Sequence, residues 1–147
     1  MLVGFVAACL GGGALAGLAT SSSVQTWYPQ LAKPSWTPPG WLFAPVWTVL
    51  YVMMAVAGWR VWRRIGWGWP HALFALQLAL NIAWSFSFFA ARSPIAGLAN
   101  IAALWCAIVA TIVVFARIDR GAAVLLVPYL AWVSFASALD AAITALN

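Results

Sequence analysis

Glutamate is absent from this chain, aspartate occurs only at positions 119 and 140, and His71 is the single histidine. General acid–base catalysis has little to draw on in such a sequence. No nucleophile constellation or phosphate-binding loop accompanies these few groups, so hydrolase and transferase chemistry are weak readings. Cysteine is equally scarce. Cys9 and Cys106 both sit inside apolar runs and, with one histidine, can build neither a disulfide framework nor a metal site. Both read as buried thiols, and no metal is expected. Charge as a whole makes up 6% of the residues, against about 25% in soluble domains. With 66% hydrophobic residues and a mean hydropathy of +0.99, the chain cannot cover its surface with groups that water solvates. Lipid is therefore its solvent.

The net charge of +5 raises the question of nucleic acid. The cations fall at Lys33, at Arg60, Arg63 and Arg64, at Arg92, and at Arg117 and Arg120. They form no continuous stripe that could track phosphates, and no nucleic-acid partner is expected. They read instead as topology signals beside membrane spans.

Five apolar segments have about the 20 residues that cross a bilayer as a helix: Leu2–Ala19, Ala44–Trp62, Pro70–Ala91, Pro94–Ala116 and Gly121–Leu146. Pro45, Pro70 and Pro94 lie in first turns, where a missing N–H costs nothing. Pro128 and Asp140 interrupt the last segment. Ala14-Leu15-Ala16 resembles a signal-peptide cleavage site, but no basic residue precedes the apolar run, which favours a retained span. The expected fold is all-α: a five-helix transmembrane bundle forming one domain over residues 1–147. Five arginines on the side of the N-terminus against Lys33 and Arg92 on the other place the N-terminus in the cytoplasm. Helical spans with this bias favour a bacterial inner membrane over an outer one.

The segment Thr20–Phe43 stands apart, with Pro29, Pro34, Pro38 and Pro39 interleaved with Trp27, Tyr28, Trp36 and Trp41. Prolines favour a stiff, turn-rich path here, expected to fold over the bundle as a lid. In the third span Gln77, Asn81, Trp84, Ser85 and Phe88 share a face by i+3 and i+4 spacing. Trp47 and Tyr51 share one on the second, and Tyr129, Trp132, Ala136 and Asp140 on the fifth. By depth, most of these groups, with Asn100, fall in the half of the membrane beneath the lid. A ligand cavity open toward the lid follows from that convergence. Structural alternatives stand beside it. Interfacial anchoring accounts for most tryptophans, helix packing for the deeper ones, and interhelical hydrogen bonding for Asn81 and Asn100. Asp140 can reach interfacial water, pair with Arg92 or Lys33, or carry a coupling ion. His71, the one conceivable haem-iron ligand, starts its span away from the lid and reads as structural.

Two packing surfaces suit a second copy of the chain. Ala72, Ala75, Ala79 and Ala83 line the far face of the third span, and Gly13 with Gly17 forms GxxxG in the first.

The run Trp27-Tyr28-Pro29-Gln30-Leu31-Ala32-Lys33-Pro34-Ser35-Trp36-Thr37-Pro38-Pro39-Gly40, followed by Pro45-Val46-Trp47-Thr48-Val49-Leu50-Tyr51, resembles the TspO/translocator protein family. So do Leu80-Asn81-Ile82-Ala83-Trp84-Ser85 with Phe88-Phe89, and Val127-Pro128-Tyr129-Leu130-Ala131-Trp132 with Ser134-Phe135-Ala136. The resemblance implies a five-helix bundle, often a homodimer, that binds protoporphyrin IX, haem and other flat hydrophobic ligands beneath the first loop. No further cofactor is required. Its pocket positions fall on Tyr28, Trp47, Tyr51, Asn81, Trp84, Trp132 and Ala136. Spacing adds Phe88, and Lys33 on the lid is placed to pair with a ligand carboxylate. Asp140 stands where the family usually has Asn, and no basic residue follows Arg120, so the sterol motif of animal members is absent. Three functions stay open: a tetrapyrrole receptor in sensing, regulation or transport; light-dependent porphyrin degradation through Trp47 and Trp132; or a small coupled transporter. A binding protein is favoured over an enzyme.

Overall fold

The computed structural model of the protein describes residues 1–39 and 41–147. Gly40, which closes the proline–tryptophan block, lies outside the described residues. Five helices dominate: α1 (Leu2–Thr26), α2 (Phe43–Ile65), α3 (Trp69–Ser85), α4 (Pro94–Ala116) and α5 (Arg120–Leu146). Each is long and apolar enough to span a membrane, α3 together with the π-helical turn Phe86–Ala90 that extends it. The protein is an all-α, multi-pass integral membrane protein. Local chemistry sets the helix ends. Ser93 and Asp119 accept the N–H groups of Ala96 and Ala122 as N-caps. Pro94 and Pro70 occupy first turns. Gly66, at φ 69°, stops α2 in a conformation that a side chain would resist. Pro128 lies within α5 without ending it.

Helix α1 packs beside α2 and α3, α2 beside α5, α5 beside α4, and α4 beside α3. The helices thus close into a ring in the order α1, α2, α5, α4, α3. Inside it, a main core holds Phe5, Cys9, Met54, Phe74, Phe115 and Tyr129. A smaller cluster, Phe88, Leu139 and Ile143, lies against Trp27 and Tyr28. Large apolar side chains such as Val3, Leu18, Ile95 and Val124 point outward, as lipid-facing positions must.

Two expectations need correction. The lid starts at Trp27 rather than Thr20, because α1 runs on to Thr26. No proline precedes Pro29, and the hydroxyls of Thr20 and Thr26 donate to the carbonyls of Ala16 and Ser22 one turn back, so the polar stretch remains helical. Cys106 is not a buried thiol. It lies on the outer face of α4, whereas Cys9 is buried. An apolar run does not distinguish lipid-facing from core positions when lipid is the solvent.

Candidate functional site

One cavity of about 930 Å³ opens inside the ring beneath the lid. Its walls come from α1, the lid, α2, α3 with its π turn, and α5; among the described residues α4 contributes none. All nine residues singled out from the sequence line it: Tyr28, Lys33, Trp47, Tyr51, Asn81, Trp84, Phe88, Trp132 and Ala136.

Aromatic rings from the lid, α2, α3 with its π turn, and α5 line the cavity. Trp47 stacks on Tyr51 one turn along α2, with centroids 5.6 Å apart, and meets Trp132 of α5 edge-on at 6.5 Å. Trp84 lies 5.5 Å from Phe88. The π turn inserts one extra residue per turn, and both Phe88 and Phe89 line the cavity, 4.8 Å apart at their centroids. The lid is held by edge contacts of Tyr28 with Phe89 and of Trp36 with Phe135. Asn147 adds a two-point amide clamp, donating to the Ala32 carbonyl at 2.9 Å and accepting its N–H at 3.2 Å.

The polar groups divide into used and free. Tyr51 donates to Asn81 Oδ1, Asn81 Nδ2 donates to Tyr129 at 2.7 Å, and Tyr129 donates to Gln77 Oε1 at 2.9 Å. This chain of hydrogen bonds ties α2, α3 and α5 together at the cavity floor and occupies both ends of the Asn81 amide. Lys33 Nζ donates to the Tyr28 and Leu31 carbonyls at 2.8 and 3.2 Å and sits 4.7 Å above the Tyr28 ring. An ammonium has three donors, so one is left for an acceptor in the cavity. The Trp132 indole N–H is buried and has no acceptor among the described residues.

Several positions differ from their sequence reading. Asp140 neither reaches interfacial water nor pairs with Arg92 or Lys33. It is 1% exposed, accepts the Trp84 indole N–H at 3.1 Å and has no salt-bridge partner among the described residues. Burial by α3 and α4 encloses it: a Cβ on Gly97 would come within 2.9 Å of its Oδ2. Asn100 is not in the cavity; its amide donates to the Leu80 carbonyl at 2.9 Å, joining α4 to α3. Gly13 faces inward, not toward a second copy. A Cβ there would lie 2.4 Å from the Tyr51 ring, and both Gly13 and Gly17 line the cavity. Ala72, Ala75 and Ala79 are exposed on the outer face of α3. His71, in keeping with its sequence reading, lies away from the cavity, its Nε2 3.2 Å from the Gly58 carbonyl. Among the described residues no group of three His, Cys, Asp or Glu side chains could hold a metal ion.

The contribution of α1 went unread in the sequence. Leu10, Ala14, Gly17, Thr20 and Val24 form one wall, and their i+3 and i+4 spacing was the available signal.

A family model described as the TspO/MBR family matches residues 5–146. The tryptophan-rich protein TspO of Chlorobaculum tepidum is 48% identical over 95% of this chain and 90% of its own length. The tryptophan-rich sensory protein of Cereibacter sphaeroides is 39% identical over 92% of this chain and 84% of its own. The pig translocator protein is 41% identical over 78% of this chain and 70% of its own. Similarity of this extent makes the chain a member of the TspO/MBR family.

Proposed function

We propose that the protein is a membrane receptor for tetrapyrroles, protoporphyrin IX or haem, acting in their sensing, regulation or transport. The observation that carries this reading is the cavity of about 930 Å³ walled by Trp47, Tyr51, Trp84, Phe88 and Trp132. Its volume lies at the upper end of the range for small-molecule sites, about 300–1,000 Å³. Flat apolar ligands gain affinity from stacked and edge-on aromatic contacts, and the free donor on Lys33 suits a propionate. The name of the Cereibacter relative, a sensory protein, agrees with such a role. An N-terminus in the cytoplasm of an inner membrane and a homodimer through the outer face of α3 complete the proposal.

Titration of purified protein with protoporphyrin IX in the dark, followed by tryptophan fluorescence, tests it. Saturable quenching is expected, with affinity reduced about tenfold or more in Trp132→Ala and Trp47→Ala, since burying an aromatic ring contributes about 1.5–3 kcal/mol. Non-saturable quenching that neither substitution changes would mean porphyrin merely partitions into the micelle. Contact between Trp47 and Trp132 favours porphyrin breakdown as the second reading. Illuminating the same samples separates the two: degradation must require light, oxygen and both rings.

A further inference from the structure

At the end of the bundle away from the lid, two guanidinium groups, those of Arg60 and Arg64, meet one carboxylate. Asp119, in the turn between α4 and α5, accepts Arg60 through both oxygens at 3.1 and 3.2 Å and lies 3.5 Å from Arg64. The same carboxylate caps α5 by accepting the Ala122 N–H at 3.1 Å. Arg117 and Arg120 flank it in sequence and are exposed. The arrangement is sterically built: a Cβ on Gly121 would meet the Arg60 guanidinium at 2.5 Å. With its oxygens committed to Arg60 and to the helix cap, Asp119 can neutralise little of the remaining charge.

No other acidic residue can do so. The chain has two acids in all, and Asp140 is enclosed under the lid with Trp84. Arg64, with a side chain 62% exposed, shares Asp119 with Arg60, and the exposed Arg117 and Arg120 add charge that this one carboxylate cannot balance. They lie at the end of spanning helices, and the exposed rings of Trp67 and Trp69 stand in the turn at the end of α2 and the start of α3, where indoles favour the headgroup layer. A counter-anion at that depth belongs to the membrane. We propose that Arg64, beside the Arg60–Asp119 pair, and Arg117 and Arg120, which flank Asp119 in sequence, form a binding site for the phosphate headgroup of an anionic phospholipid. The site lies at the opposite end from the cavity and does not depend on the tetrapyrrole reading.

Native mass spectrometry of the purified full chain, incubated with equimolar phosphatidylglycerol and phosphatidylcholine, tests the proposal. Preferential retention of phosphatidylglycerol is expected. Arg64→Gln should reduce it about fivefold, the effect of one arginine at an anionic membrane surface, and Arg117→Gln with Arg120→Gln should reduce it further. These substitutions leave the Arg60–Asp119 pair in place, and unchanged circular-dichroism melts would confirm that the variants are folded. Arg92→Gln, which removes one charge at the other end, should leave retention unchanged. An equal loss in Arg92→Gln would overturn the proposal, since net charge alone would then explain the preference. Complete displacement of the lipid by excess inorganic phosphate would also overturn it, marking a site for the free anion.

Discussion

Gly13→Val is expected to abolish tetrapyrrole binding and to destabilise the bundle by about 2–4 kcal/mol. A Cβ at position 13 would lie 2.4 Å from Cε2 of Tyr51 and 2.9 Å from two further ring atoms, well inside van der Waals contact. The ring cannot easily yield. It stacks on Trp47, donates to Asn81 and is 8% exposed. Overpacking of a dense interior costs about 1–3 kcal/mol, and a lost interhelical hydrogen bond adds about 0.6–1.7 kcal/mol. The slightly better helix propensity of Val over Gly, a few tenths of a kcal/mol, offsets little of this. Displacement of Tyr51 also moves Trp47 and with it the Trp47–Trp132 contact, so the wall proposed to hold the macrocycle loses its shape. Thermal denaturation in detergent, together with the porphyrin titration, measures both effects. Ala79→Leu, on the exposed face of α3, serves as the contrast. It should leave binding intact while shifting the size-exclusion profile toward monomer. Wild-type affinity in Gly13→Val would remove Tyr51 from the site.

The contrast between Gly13 and Ala79 marks what was legible in the sequence. Span number, the outward alanine face of α3 and the inward face carrying Gln77, Asn81, Trp84 and Phe88 follow from helical periodicity, because polar groups in lipid must turn toward protein. The cavity residues on α2 and α5 were legible for the same reason. Small apolar positions give no such signal. Gly13 beside Tyr51 and the outward-facing Ala79 look alike along the chain, and only the shape of a neighbouring helix separates them. Asn100 shows the limit of depth as a guide. It sits at the right level, but its direction around the α4 axis carries it to the Leu80 carbonyl. Asp140 depends on Trp84, 56 residues earlier, and the lid boundary on side-chain hydroxyls bonding back within α1. Neither contact has a signature in local spacing.

Asp119→Ala is expected to cost about 1–2 kcal/mol at neutral pH, the sum of a lost helix N-cap, about 1 kcal/mol, and a partly exposed ion pair, about 0.2–1 kcal/mol. Arg60, whose side chain is 41% exposed, can turn to water once the carboxylate is gone, which keeps the loss moderate. The effect has a defined pH dependence. Hydrogen bonding from the Arg60 guanidinium holds the Asp119 carboxyl below its ordinary range; burial opposes this, and the Ala122 N–H and the charge of Arg64 reinforce it. A carboxyl whose value is lowered on folding contributes stability above the unfolded value, about 3.9, and loses that contribution as the pH falls through the folded value. The gap between wild type and variant should therefore be full at pH 7 and narrow under strongly acidic conditions. Asp119→Asn separates the two components. Asparagine is a good N-cap but carries no charge, so its melting curve at pH 7 should fall between those of wild type and Asp119→Ala. The difference between wild type and Asp119→Asn should close in acid, where the native carboxyl is protonated too. A difference that stays constant from neutral to acid pH would show that packing in the α4–α5 turn, rather than the charge of Asp119, ties the end of α2 to α5.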